Sequence, residues 1–426
     1  MKKLLILMFF SALLCFTGCS ARYNNLEELL TAPKLSQNQS DIVNALDSFV
    51  GDKITLKYPY QGENLSPFSF CDLNGDGIEE VVVTYIAKNN SPYIQIAILQ
   101  KQNDSKWKVT QNITGLDTEI DKIFFSTPTH TDTNNFTNII VGYQGRNTNE
   151  KTMAYYSSNE FEYYLYFQQI YYMFEVTDIT LDNVDDVLLI TAPSLQDNLQ
   201  LYLFTSDNSS INTPKKTILD TNFSNVKNFH ITKDYYNNNM VIIDGFISSN
   251  TLSTEVYYYE NEGFIRWNNN SKNISELTTR NYININSEDI DKDGIIEIPI
   301  VEHLNINENN KFCLISYYEF NKDDYFEKSF GIYDFELNIF IPLPLMLKDT
   351  IQITNNNNHQ WFVKDINSNK IHITIQFVYA EKSEYVSKNK DYQYILTIDE
   401  FDVYIKLNSN LSKTYKSTIL DNVKKL

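Results

Sequence analysis

Three short stretches of the chain place oxygen donors in one spacing. Asp72, Asn74, Asp76 and Glu80 stand at positions 1, 3, 5 and 9 of Asp72-Leu73-Asn74-Gly75-Asp76-Gly77-Ile78-Glu79-Glu80. Asp289, Asp291, Asp293 and Glu297 repeat that spacing, with Gly294 at position 6. Between them Asp178, Asp182 and Asp186 hold the same register, with Thr180 at position 3 and Asn183 in the glycine slot. Carboxylates at positions 1, 3 and 5 of a tight loop can converge on one hard cation, and Gly or Asn at position 6 supplies a turn with φ > 0. Position 7 offers a backbone carbonyl, and the acid at position 9 closes the shell directly or through water. Donors that are all oxygen favour calcium over zinc or copper. Asp, Asn and Gly also make good turns without any ion. Thr180 is a weak ligand, so the middle loop stands between the two readings.

Other chemistries find less support. An EF-hand needs Glu at position 12 and a following helix; here position 12 is Val83, Leu189 or Ile300. His130, His230, His303, His359 and His372 form no paired spacing of a zinc hydrolase. No nucleophile elbow, phosphate-binding loop or dinucleotide fingerprint occurs. The sequence therefore reads as a non-enzyme. The alternative is a propeller enzyme acting on polysaccharide, because paired carboxylates for glycoside cleavage meet in space and leave no spacing to read. Tyrosine clusters such as Tyr257-Tyr258-Tyr259, together with Trp107, Trp267 and Trp361, read as sheet core before they read as sugar platforms.

The loops need elements to hold them, and those elements read as strands. Each loop runs into a β-branched or apolar stretch, such as Val81-Val82-Val83 or Val187-Leu188-Leu189-Ile190. Asp178 lies 106 residues after Asp72, and Asp289 lies 111 after Asp178. Half of either offset is close to the length of a four-stranded propeller blade. Degenerate copies stand near the half-way points: Asn138 before Ile139-Ile140-Val141, and Asn239 before Met240-Val241-Ile242-Ile243. Another loop, from Asp365 to Lys370, reads as a plain turn. The expected fold is an all-β, six- or seven-bladed β-propeller over residues 54–410, with room for a seventh unit around 320–350. A short helix precedes it, capped at Ser40 or Asp41, with Ile42, Ala45, Leu46, Phe49 and Val50 on one face and Gly51 at its end. Residues 411–426 form a tail with a helical pattern at Ile419, Leu420 and Val423.

The N-terminus reads as an export signal: Lys2 and Lys3, an apolar run over residues 4–16, then small residues before Cys19. Such a run is too short to span about 30 Å of hydrocarbon, which favours a cleaved signal over an anchor helix. Phe16-Thr17-Gly18-Cys19 resembles the lipobox of bacterial lipoproteins. That resemblance implies a signal peptide at 1–18, a lipid on Cys19, a spacer and helix over 19–53, and attachment at the extracytoplasmic face of the cell envelope. The other reading is an ordinary secretory signal with an incidental cysteine. Cys71 and Cys313 lie far apart in strand-like runs and read as buried free thiols in preference to a disulfide.

The strand–Asp-loop–strand units resemble the FG-GAP/VCBS repeats of integrin-α-like β-propellers, and the whole layout resembles lipoproteins carrying VCBS repeats. In the latter a lipobox leads into a Leu, Leu, Pro segment, matched here by Leu26, Leu29 and Pro33. The resemblance implies that Asp72, Asn74, Asp76 and Glu80, and Asp289, Asp291, Asp293 and Glu297, are calcium ligands that stiffen blades. It implies a binding or scaffold role toward a protein or glycan. Composition agrees with the class. The 426 residues are 42% apolar, enough for a full core, and carry 54 acids against 35 bases. A net charge of −19 repels phosphate backbones and excludes a nucleic-acid partner.

Overall fold

The computed structural model describes residues 35–88, 92–127, 136–146, 150–159, 162–193, 198–207, 210–220, 222–268, 273–302, 312–335, 337–356, 360–382, 386, 389–408 and 424–425. The signal segment, Cys19, Leu26, Leu29, Pro33, His130, His303, His359 and the tail residues Ile419, Leu420 and Val423 lie outside them.

Helix α1 (Gln37–Val50) starts earlier than Ser40. Ser36 and Gln39 form a capping box: the Ser36 hydroxyl accepts from Gln39 N, and Ser36 N donates to Gln39 Oε1. This satisfies two of the orphan groups at the helix start, which neither Ser40 nor Asp41 does. Gly51 ends the helix at φ 76°, as its position suggests. Ile42 and Leu46 are buried, whereas Phe49, expected on that face, is 56% exposed.

The rest is antiparallel sheet. The first unit holds β1 (Ile54–Leu56), β2 (Phe68–Cys71), β3 (Glu80–Ala87), β4 (Gln95–Lys101) and β5 (Trp107–Thr114). The second holds β6 (Glu119–Ser126), β7 (Asn138–Gln144), β8 (Lys151–Ser158) and the first half of β9 (Tyr163–Thr177). The second half of β9 opens the third unit, with β10 (Asp186–Thr191), β11 (Gln200–Phe204) and, beyond the small ribbon β12 (Ser206–Asp207) and β13 (Ser210–Ile211), β14 (Lys215–Ile218). The fourth comprises β15 (Asn225–Lys233), β16 (Asn239–Ser248), β17 (Thr251–Glu260) and β18 (Gly263–Arg266), followed by helix α2 (Ile274–Thr278). The fifth comprises β19 (Ile298–Glu302), β20 (Phe312–Phe320), β21 (Tyr325–Asp334) and β22 (Ile339–Leu343). The sixth comprises β23 (Ile351–Asn356), β24 (Gln360–Asp365), β25 (Ile371–Tyr379), β26 (Gln393–Ile398) and β27 (Phe401–Leu407). The last described residues, β28 (Lys424–Lys425), pair with β22 as strand where the sequence suggested helix. Between residues 320 and 350 the strands are the end of β20, β21 and β22, all of the fifth unit, so the described residues form six units.

These units pack as blades. Val187 and Leu189 of β10 face Ile140, Met153 and Tyr155 of the preceding unit. Leu188 and Ile190, pointing the other way, meet Val241, Ile243 and Tyr257 of the next. A strand buried on both faces reads as an unbroken apolar run, which explains the Val-Leu-Leu-Ile texture. The same stacking joins units one and two, four and five, and five and six. On the first unit, α1 takes the face turned away from the second: Ile42 and Leu46 cover Val81, Val83, Tyr85 and Leu99. The sixth unit turns Thr374, Gln376, Asp402 and Lys406 away from its core face. The fold is thus all-β and of the β-propeller type, with one N-terminal helix. Among the described residues no helix is long and apolar enough to cross a membrane.

Packing within a blade is tight at Gly331 on β21. A Cβ there would lie 2.3 Å from the Ile341 carbonyl oxygen and 2.8 Å from Pro342 Cα, both backbone atoms of β22. Gly331→Ala is expected to lower unfolding free energy by about 1–3 kcal/mol in urea titration. Gly263→Ala, where nothing lies within 4 Å, is the control and should change little.

Candidate cation-binding loops

Each of the three Asp loops leads directly into a strand of its blade. Residues 72–79 lead from β2 into β3, and 178–185 from β9 into β10. Residues 289–296 are closed by a Glu288–Glu297 bridge just before β19. The first Asp of each organises the turn by accepting backbone N–H groups. Asp72 accepts from Gly75 and Gly77 at 2.8 Å each, Asp178 from Asp182 and Asn183 at 3.2 and 3.0 Å, and Asp289 from Asp293 and Gly294 at 3.1 and 3.0 Å. The position-5 acids Asp76, Asp182 and Asp293 accept from the residue two further on, at 2.8, 2.8 and 2.9 Å. Position 6 has φ of 82°, 64° and 90° at Gly77, Asn183 and Gly294.

Position 4 is also left-handed, which the sequence reading missed. Gly75 adopts it at no steric cost, but Leu181 (φ 63°) and Lys292 (φ 66°) do so with a Cβ. No residue-type signal marks those two, because the loop's hydrogen bonds, not side-chain preference, impose the conformation.

The position-9 acid points back under the loop. Glu80 Oε2 accepts from Leu73 N, Asp186 Oδ2 from Ile179 N and Thr180 N, and Glu297 Oε2 from Ile290 N, all at 2.8–2.9 Å. The loops differ in the second oxygen. Glu80 Oε1 accepts from Asn74 Nδ2 at 3.1 Å and Gln100 Nε2 at 3.4 Å. Asp186 Oδ1 and Glu297 Oε1 are buried with no hydrogen-bond partner among the described residues. Desolvation pushes the Asp186 carboxyl up to about 6, against the two N–H groups that favour its charge. Burial likewise pushes Glu297 up to about 8, opposed by Ile290 N–H and reinforced by Asp291 and Asp293.

Only the third loop, among the described residues, gathers several acids to metal-ligand distances. One oxygen each of Asp289, Asp291 and Glu297 lie within 4.8 Å of one another, and so do those of Asp293, Glu297 and Glu319. Glu319, on β20, and Lys328, on β21, were not found from the sequence. Charged residues inside the apolar and aromatic strands Phe312–Phe320 and Tyr325–Asp334 are the signal that could have found them. Asp72, Asn74 and Asp76 are exposed or half-buried around the first loop, while Asp178 and Asp182 flank the buried Asp186. The first two loops are clasped from the next blade: Thr137, the residue before the half-way copy Asn138, donates to the Leu73 and Asp72 carbonyls at 3.0 Å each, and the half-way copy Asn239 donates through Nδ2 to the Ile179 carbonyl at 2.6 Å.

Cys71 is half-buried, Cys313 is buried, and both are free thiols. Trp267 and Trp361 are core residues. His230 bonds the Ser287 carbonyl at 2.8 Å.

With chelator present, raised carboxyl pKa values impose a sign on stability. A group whose folded pKa exceeds its unfolded one stabilises fully below the unfolded value and loses that contribution as pH rises through the folded value. For Glu297 the window runs from the ordinary 4.5 to about 8. Chelated protein should therefore lose on the order of a few kcal/mol from this group between pH 5 and 8.5, read as a falling urea midpoint that Glu297→Gln flattens.

A bladed, all-β protein with Asp-rich loops is the class that these features define. No family model and no curated protein matches the chain. Among solved structures it is similar to a Dos1 propeller, at 12% identity and a TM-score of 0.27 over 82% of this chain and 69% of that one. It is also similar to the exotype rhamnogalacturonan lyase YesX, at 10% identity and a TM-score of 0.29 over 74% of this chain and 66% of that one.

Proposed function

We propose that this protein is a cell-envelope lipoprotein, anchored through a lipidated Cys19, whose FG-GAP/VCBS-like propeller is stiffened by calcium and serves as a binding or scaffold module for protein or glycan. One observation carries the calcium reading. Glu297 is fully buried with one oxygen unpartnered, and acids surround it, in the loop whose sequence spacing already suits a hard cation. Burying an unpaired carboxylate is costly, and a divalent ion taking several oxygens removes that cost. Asp186 repeats the feature in the second loop. The anchor rests on Phe16-Thr17-Gly18-Cys19 and the signal before it. The module role rests on the fold: a β-propeller holds its connecting loops on a rigid scaffold, where binding surfaces form.

Calcium titration of the full chain in detergent should show saturable binding, with one site lost in Glu297→Gln. Fatty-acid labelling should mark wild type and spare Cys19→Ala. Absence of calcium binding would end the stiffening role, and equal labelling of both proteins would end the anchor.

A further inference from the structure

The geometry points to a second cation position beside the third loop, formed by Asp293, Glu297 and Glu319, and to Lys328 as a tethered ammonium that holds it until a divalent ion displaces it. This rests on the calcium reading of the third loop and adds its regulation. Glu319 comes from β20, not from the loop, so the position is built between the loop and the β20–β21 hairpin.

Lys328 is placed there by a register shift. Tyr317 pairs with Ser329 and Tyr318 with Glu327, which leaves Lys328 as the extra residue of a β-bulge. Bulges re-aim side chains. Its Nζ lies 2.7 Å from Asp293, 3.1 Å from Glu319 and 3.3 Å from Asp291. The ammonium hydrogen-bonds Asp293 and Glu319 and stands in ion-pair contact with Asp291, so at most one of its three donors is left over. Glu297 Oε1 and Glu319 Oε1 nevertheless remain buried without a hydrogen-bond partner among the described residues, on side chains that are fully buried. One lysine is thus too small a counter-ion for the four carboxylates Asp291, Asp293, Glu297 and Glu319. A calcium ion takes six to eight oxygens at roughly 2.3–2.6 Å and can satisfy what the lysine leaves.

Ammonium and calcium cannot share the same oxygens, so one must yield. Glu319 and Glu297 are fixed in the core, whereas the Lys328 side chain is 22% exposed and sits on a flexible four-carbon stem. Lys328 is the partner able to leave. Its exit toward solvent would cost this loop part of its calcium affinity, which removing the lysine would restore.

The test uses the full chain in detergent. In Lys328→Met, calcium should bind one class of sites about tenfold more tightly than in wild type, and Glu319→Gln in that background should remove the gain. Lys328→Arg keeps the charge and should keep the weak affinity. In wild type, amine acetylation of Lys328, read by mass spectrometry, should rise when calcium is added; this holds even if Lys328→Met does not fold. Tightening in Lys328→Met, or calcium binding only in that variant, supports the tethered ammonium. Unchanged affinity in Lys328→Met, or acetylation indifferent to calcium while Glu297→Gln still removes a site, overturns it and leaves the calcium loop standing. No calcium binding by either protein overturns both.

Discussion

Asp244→Ala is expected to remove about 3–5 kcal/mol of folding free energy, a large share of what holds any domain together. Asp244 on β16 and Arg280 after α2 are both fully buried, and Arg280 Nη2 lies 2.9 Å from Asp244 Oδ1. The carboxylate also accepts from Ser287 N and Ser287 Oγ, each at 2.8 Å, and from the Thr254 hydroxyl. Arg280 in turn donates to the Ile285 and Thr278 carbonyls at 2.6 and 3.1 Å. One ion pair therefore fastens the segment that leads into the third loop onto the fourth blade. Removing the acid leaves a guanidinium in the core with no counter-charge. Asp244→Ala/Arg280→Met should recover much of the loss, because apolar replacement of a whole buried pair is often neutral.

The pH dependence of that variant follows from the same contacts. Burial would raise the Asp244 carboxyl, but Arg280, Thr254 and Ser287 together outweigh it and hold it below the ordinary carboxylate range. A depressed folded pKa means that the contribution is present above the unfolded value, near 3.9, and fades as pH falls through the folded one. The gap between wild type and Asp244→Ala in urea titration should thus be full at pH 7 and shrink only in strong acid. A loss under about 1 kcal/mol at pH 7 would mean that water reaches Arg280 once the acid is gone.

How much of this was legible depends on whether the signal is local. The strand texture was, because blades buried on both faces demand runs such as Val81-Val82-Val83. The half-period was legible through Asn138 and Asn239, though not its purpose, since Asn239 acts on the Ile179 carbonyl of the blade before it. The helix start was misplaced by a few residues because Ser36 and Gln39 lie before the apolar periodicity begins. The Asp loops were legible as spacing, and their left-handed fourth residues were not, since Leu181 and Lys292 carry no preference for that conformation. Glu319 and Lys328 meet through a bulge between Tyr317 and Tyr318, and a one-residue register shift leaves no spacing to read. Pairing across a hairpin was the missing information at the site.

On the proposed calcium reading, withdrawing the ion is expected to be the second large effect, and the loops rank how it should be distributed. A ligand bound only to the folded state stabilises by mass action, about 2.7 kcal/mol per site at one hundred times Kd. EGTA should therefore lower the unfolding midpoint of wild type clearly, and loop variants in calcium should each reproduce part of that fall. The first loop is the least needy: Glu80 has both oxygens satisfied, one by Leu73 N–H and the other by the Asn74 and Gln100 amides. The second and third loops keep an unpartnered oxygen on Asp186 and Glu297. Asp76→Ala should then cost little of the calcium-dependent increment, and Asp182→Ala and Asp293→Ala considerably more. Each variant must be compared with itself in EGTA, because Asp76, Asp182 and Asp293 also hold their turns through backbone N–H groups and lose stability without any ion. If Asp76→Ala abolishes the increment while Asp293→Ala keeps it, an unsatisfied buried oxygen does not drive calcium binding, and the loops are ranked by sequence match alone. If EGTA changes nothing in wild type, the three loops are Asp-organised turns, and Lys328 is the permanent counter-ion of the third.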